Sequence, residues 1–439
     1  MACAGLPLDS LERSLTAGLN YMIFPSVIAT WLLVLIGNAG STAAPMQSPI
    51  FAFAGAASSL STTVTEYAPL QGPGAQWGAR TLADTPVAVS GTISKLYVEL
   101  TPAPGTPASG KSWTYTLFKN GSATALTCTV SDDGTSSNDT SNSVSVTAGD
   151  LLSWEQVPAG TPTAWTQLTI GALFTSTTTR ESNITLGSGS SLTTGSTTYS
   201  SIQAAGGAYT ATQANAATMI SPPGVIDSLR VSLSGTPGGS ATYAFTLYKN
   251  GSATSLTCTV ASGATTASDT DAGHAVTVAA GDNVSIEIVP ASTPTARALN
   301  ASLRFTATTN GESMVAGSGV PSSSTNRYFA PMSSMGTGLS SDTIGNKNKA
   351  AVAYVVKNLY TAFDVAPGAA KSRNVRAWKN TGAGTVVATV TGAVDTTGNN
   401  TGNTDSFAVG DYFGFVTDST SGSAALTWWR WGATAYITP

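Results

Sequence analysis

One histidine, three cysteines and 23 acidic residues are the scarce groups that this 439-residue chain, otherwise rich in Ser and Thr, offers for histidine-, thiol- or carboxylate-based chemistry. His274 stands alone, so no histidine-based triad with spare metal ligands can be assembled. Its polar surroundings read as a solvated loop, with pH sensing as the sharper alternative. Asp150, Asp282 and Asp411 each follow a glycine in three similar but distant segments, which makes each a turn residue rather than half of a carboxylate pair. The stretches Asp132-Asp133 to Asp139 and Asp269 to Asp271 carry oxygen ligands of the kind calcium takes, but without EF-hand or nonapeptide spacing. Cys128 and Cys258 occupy equivalent places, and Ala388 stands at the third. A position that accepts Cys or Ala is a small buried apolar site, so neither a disulfide framework nor a metal site is expected. The expectation is a non-enzymatic protein with no catalytic residue, no metal and no cofactor.

The carboxy-terminal stretch Thr427–Ile437 (TWWRWGATAYI) is the most distinctive. Strand alternation puts Trp429 and Trp431 on one face and Trp428, Arg430 and Tyr436 on the other. One face must be core. The other forms an aromatic-cationic patch suited to a subunit interface or to stacking on a sugar ring, with plain exposed aromatics as the bland reading.

These residues have to be positioned by a threefold repeat. Thr114–Val130 (TYTLFKNGSATALTCTV) returns at Thr242–Val260 and again, more divergent, at Ser372–Val390, with Lys119, Lys249 and Lys379 spaced 130 residues apart. Asn-Gly between alternating apolar residues is a hairpin signal. Trp113, Tyr115 and Leu117 line one face of the first strand, and Leu126, Cys128 and Val130 line one face of its return. The lysines sit beside the turn and are expected to point into solvent. A polar loop follows, then a strand ending in Gly149-Asp150, Gly281-Asp282 or Gly410-Asp411. Many short alternating strands with regular turn signals indicate an all-β chain of three tandem antiparallel sandwiches, jelly-roll or immunoglobulin-like, with the jelly roll slightly favoured. The expected division is residues 1–50 as an arm, then modules at 55–180, 195–310 and 325–439. Ser176–Ser200 and Gly311–Thr325, rich in Ser, Thr and Gly, read as joints with linker composition.

Only 10% of the residues are charged and the net charge is −4. Ordinary soluble domains carry about 25% charge. The surface is therefore hydroxyl-rich and nearly neutral, and a nucleic-acid partner, which needs clustered Lys and Arg, is excluded.

The N-terminus differs. Leu6–Leu19 has apolar residues at helical spacing, and Tyr21–Gly37 is apolar throughout except for Pro25. Three readings stay open: an assembly arm, a signal peptide or membrane anchor, or a start codon at Met46. In the first, Tyr21, Ile23, Phe24, Ile28, Trp31, Leu32, Leu33 and Leu35 are buried on a partner. In the second, Tyr21–Gly37 contacts a membrane.

The pattern at Leu117–Val130 with Val144–Asp150, and at Leu247–Val260 with Val276–Asp282, resembles modules of tailed-bacteriophage surface proteins: head decoration proteins, head fibres and tail fibres. The resemblance implies a non-enzymatic structural protein on the virion surface. Such a protein would be homo-oligomeric, often trimeric, and partnered by other virion proteins such as the major capsid protein. It transfers no functional residue and leaves residues 1–50 unmatched. The alternative is a cell-surface or extracellular filament subunit, anchored by the N-terminal segment, with a glycan receptor for the Trp428 face.

Overall fold

Alternation of apolar and polar residues drives the chain into strands. In Ser122–Ser131, Leu126, Cys128 and Val130 are buried while Thr127, Thr129 and Ser131 face outward, the period-two pattern of a strand with one wet face. The computed structural model describes residues 44–55, 61–71, 77–203, 209–320, 326–330, 336–337 and 342–439. The eight candidate arm residues between Tyr21 and Leu35 lie outside these, as does the expected helical segment Leu6–Leu19.

The first repeat contains β1 (Gln47–Gly55), β2 (Glu66–Pro69), β3 (Thr85–Pro86), β4 (Gly91–Thr101), β5 (Ser112–Lys119), β6 (Ser122–Ser131), β7 (Ser136–Val146), β8 (Leu151–Ala159) and β9 (Gln167–Ser176). The second contains β10 (Glu181–Ser191), β11 (Thr198–Ser200), β12 (Thr218–Met219), β13 (Gly224–Leu233), β14 (Thr242–Lys249), β15 (Ser252–Val260), β16 (Thr266–Asp269), β17 (Val276–Val278), β18 (Asn283–Ala291) and β19 (Ala298–Ala307). The third contains β20 (Glu312–Val320), β21 (Arg327–Phe329), β22 (Gly336–Thr337), β23 (Asn348–Lys349), β24 (Tyr354–Phe363), β25 (Ser372–Lys379), β26 (Gly382–Thr391), β27 (Thr397–Phe407), β28 (Tyr412–Ser419) and β29 (Trp429–Tyr436).

Each repeat makes two sheets. Their orders are β1-β9-β4-β7 with β2-β8-β5-β6, β10-β19-β13-β16 with β11-β18-β14-β15, and β20-β29-β24-β27 with β21-β28-β25-β26. Pairing is antiparallel except for the short contact of β20 with β22. One apolar cluster per repeat draws on both of its sheets. In the first, Ile93, Val98 and Phe174 meet Trp113, Tyr115, Cys128 and Trp154. In the third, Val356, Trp429 and Trp431 meet Val375, Ala388 and Phe413. Burying each large side chain contributes about 1.5–3 kcal/mol.

The joints expected from composition are strands. β10 and β20 run within the Ser/Thr/Gly-rich stretches, and β1 begins at Gln47, inside the stretch assigned to the arm. Ser and Thr suit an outer strand as well as a linker. What decides is Ile184 and Leu186, which point into the second cluster.

The repeats are also tied to one another, within a single compact unit spanning Pro45–Pro439. The 3-10 turn Arg80–Leu82 and β3 of the first repeat pack on β19 of the second. β12 of the second packs on β20, β24 and β29 of the third, and β23 with the turn Ile344–Asn346 packs on β1 and β9 of the first. The contacts thus run from first to second, second to third and third back to first. Head-to-tail contacts of this kind either close or propagate; here they close.

Candidate functional site: the seams between repeats

The best-preserved residues of the repeat form a clasp. Asn120 takes a positive φ of 51° at the hairpin turn, a conformation Asn tolerates better than most residues. That aims its amide Nδ2 at Asp150 Oδ1, 2.8 Å away, while its Oδ1 accepts the Leu151 N–H at 2.8 Å. Lys119 Nζ reaches Asp150 Oδ2 at 3.0 Å and donates to the Ser145 carbonyl at 2.9 Å. The same set recurs at Lys249-Asn250 with Asp282, and at Lys379-Asn380 with Asp411. The lysines expected in solvent are therefore pinned, because each finds a carboxylate across the turn. Burial alone would raise the Asp150 carboxyl. The Thr147 N–H, the Asn120 amide and the Lys119 ammonium outweigh it and hold the pKa below the usual carboxylate range; Asp282 and Asp411 behave alike. The clasp ties the β5–β6 turn to the β7–β8 turn.

The acidic loops are equally committed. Asp139 accepts N–H groups from Thr127, Ser141 and Asn142, and Asp269 accepts from Thr257 and Asp271. His274 Nδ1 lies 2.8 Å from Asp269 Oδ2, so the lone histidine is a partner in a strand-end cap rather than a free loop residue. Among the described residues, no group of three or more His, Cys, Asp or Glu is placed to hold a metal ion. Cys128 and Cys258 are buried free thiols, and burial pushes both up to about 12. Ala388 is buried at the third place.

β29 carries the candidate patch. Trp429 and Trp431 are fully buried, with ring centroids 4.1 Å apart. On the opposite face the Arg430 guanidinium stacks 4.5 Å over the Trp428 ring and donates to the Ala214 carbonyl of the second repeat at 3.3 Å. Burial drops Arg430 to about 10. Tyr436 is brought to neither of these: it lies at the far end of the strand, under Lys357 Nζ at 4.7 Å, and Lys357 in turn pairs with Glu312 at 2.8 Å. The outward face of β29 is thus a seam within the chain. Ser221 Oγ bridges the Asn358 carbonyl at 2.7 Å and Thr434 Oγ1 at 2.8 Å in the same seam.

The other two seams use the same positions. Arg430 aligns in register with Asn300 and Thr169. Asn300 Nδ2 donates to the Leu82 carbonyl at 3.0 Å, and Thr169 Oγ1 accepts the Lys349 N–H at 3.2 Å. Gln71 bonds Thr185 across the first seam, and Gln203 holds the Met314 carbonyl and the Ala316 N–H across the second. Lys349 adds an ion pair to Glu99 at 2.5 Å in the third.

Sequence reasoning missed the seams. One signal was available: glycine in the middle of a strand marks close backbone approach, and Gly171 and Gly432 occupy equivalent places in β9 and β29. No protein-family model and no curated protein matches the chain. Among the described residues, no helix is long and apolar enough to cross a membrane.

Proposed function

We propose that this chain is a non-enzymatic structural protein of a virus particle, a capsid decoration or fibre protein on the virion surface. It is built of three tandem β-sandwich modules and docks through its N-terminal segment on other virion proteins such as the major capsid protein. The observation that carries the reading is the closed cycle of three repeats, each with the same pair of four-strand orders. With the short strands β3, β12, β17, β22 and β23 set aside, the order in every repeat is first-eighth-third-sixth facing second-seventh-fourth-fifth, which is that of a jelly roll, an architecture frequent in viral coats. The near-neutral, hydroxyl-rich surface and the commitment of every recurring carboxylate to a turn or cap support the same reading.

Each repeat uses one surface toward its predecessor and another toward its successor, so further self-association would use different surfaces. Docking would draw on the apolar stretch Tyr21–Gly37, at roughly 25 cal/mol per Å2 removed from water. The test is deletion of residues 1–45. The expected product is a folded, soluble body that no longer co-sediments with assembled particles; co-sedimentation at the full-length level would overturn the docking role.

A further inference from the structure

One position of the repeat, tyrosine in the first and third copies, is a cation in the second. Tyr97, Arg230 and Tyr360 stand opposite Gly171, Ser302 and Gly432 respectively on β9, β19 and β29. In the seam from second to third repeat, the Tyr360 ring packs over Gly281. In the seam from first to second, the Arg230 guanidinium takes that place over Gly149.

Arg230 is half-buried, its Nε is enclosed without a hydrogen-bond partner, and among the described residues its side chain has no ion pair. Burial lowers its pKa from the usual value, with no opposing charge. Nearby acids are taken. Asp150 is held by Lys119, Asn120 and the Thr147 N–H, and Asp227 on the same strand is bound bidentately by Arg304. An arginine without a counter-ion in a partly dehydrated place is poorly satisfied, and guanidinium matches carboxylate and sulfate geometry best.

Arg230 lines a cleft of about 460 Å3 between the two repeats, within the range of small-molecule sites. Its walls supply what a sugar ring needs. Thr266 and Ser268 on β16 are exposed hydroxyls on the same sheet face as Arg230, since Ser268 pairs with Arg230 directly. Asn120 stands on the opposite wall with Leu151 as an apolar contact.

We infer that this cleft is a binding site for an acidic saccharide, with Arg230 receiving the carboxylate or sulfate and Thr266 and Ser268 receiving ring hydroxyls. The site is independent of the particle reading.

The test is isothermal titration of the full chain with D-glucuronate, glucose 6-sulfate and neutral D-glucose, repeated on Arg230→Tyr and Arg230→Gln. Arg230→Tyr installs the residue the other repeats carry, so its melting midpoint should match wild type and report on folding. The expected result is saturable binding of at least one acidic sugar, weakened at least tenfold in both variants, with glucose failing to compete. Which acid binds separates the carboxylate source from the sulfate source. Absence of binding by both acids would overturn the site. So would binding retained within twofold in a folded Arg230→Tyr, or glucose binding as tightly as the acids.

Discussion

The Met219 carbonyl lies so close over Gly432 that a Cβ on that glycine would overlap the oxygen. The Lys349 carbonyl stands in the same relation to Gly171. Two seams of the cycle thus rest on a backbone meeting a backbone, which no larger residue permits.

Gly171→Ala and Gly432→Ala should each destabilise the body by about 1–3 kcal/mol, the usual cost of overpacking a tight contact. Gly402→Ala, where a Cβ meets nothing within 4 Å, is the control and should stay near wild type. Denaturant midpoints measure all three; equal midpoints for the three variants would show that the seams do not carry load.

Acid should loosen the clasps. Asp150, Asp282 and Asp411 have depressed pKa values in the folded chain. The stability they contribute is complete above the ordinary carboxylate value of about 3.9 and is lost as pH falls through the lowered values. Melting temperature against pH from 7 to 2 should therefore fall on the acid side, and fall less steeply in the triple Asp→Asn variant. The triple variant should also be less stable at pH 7, by about 1.5–3 kcal/mol per charged hydrogen-bonded site.

The thiols of Cys128 and Cys258, raised to about 12 by burial, should react with an aromatic disulfide reagent only after unfolding. A Cys3→Ser background isolates them. Rapid labelling of the native protein at pH 8 would contradict their burial. Cys128→Ala, which copies the third repeat's Ala388, should cost only about 1 kcal/mol.

Gly311 joins the two ends of the body. Its N–H contacts Met46 Sδ at 3.2 Å, and its carbonyl accepts the Ile437 N–H at 2.9 Å. Linking Pro439 to Pro45 by a short flexible segment and opening the chain at the exposed Ala393-Val394 turn should give a folded circular permutant. Far-ultraviolet circular dichroism and a melting midpoint within a few degrees of the body's would bear this out; an unfolded product would refute it.

Much of the fold was legible because its signals are local. The Asn120-Gly121 turn, the alternation through Leu126, Cys128 and Val130, and the Gly-Asp turns each announce an element by residue type alone. The seams were not legible, for a physical reason. They are made of main-chain carbonyls against Gly171 and Gly432 and of β10 and β20, whose Ser, Thr and Gly are equally at home in a linker. Trp428 and Arg430 drew attention as an open patch because alternation reports which face of a strand is away from its own core. It cannot report that another part of the same chain covers that face.

A ring assembled from three separate identical subunits must show every surface feature three times. One polypeptide that closes the ring on itself is free of that rule. Arg230 appears once where tyrosine appears twice, so a single arginine-bearing cleft, with a stoichiometry of one per ring, can coexist with three near-equivalent walls.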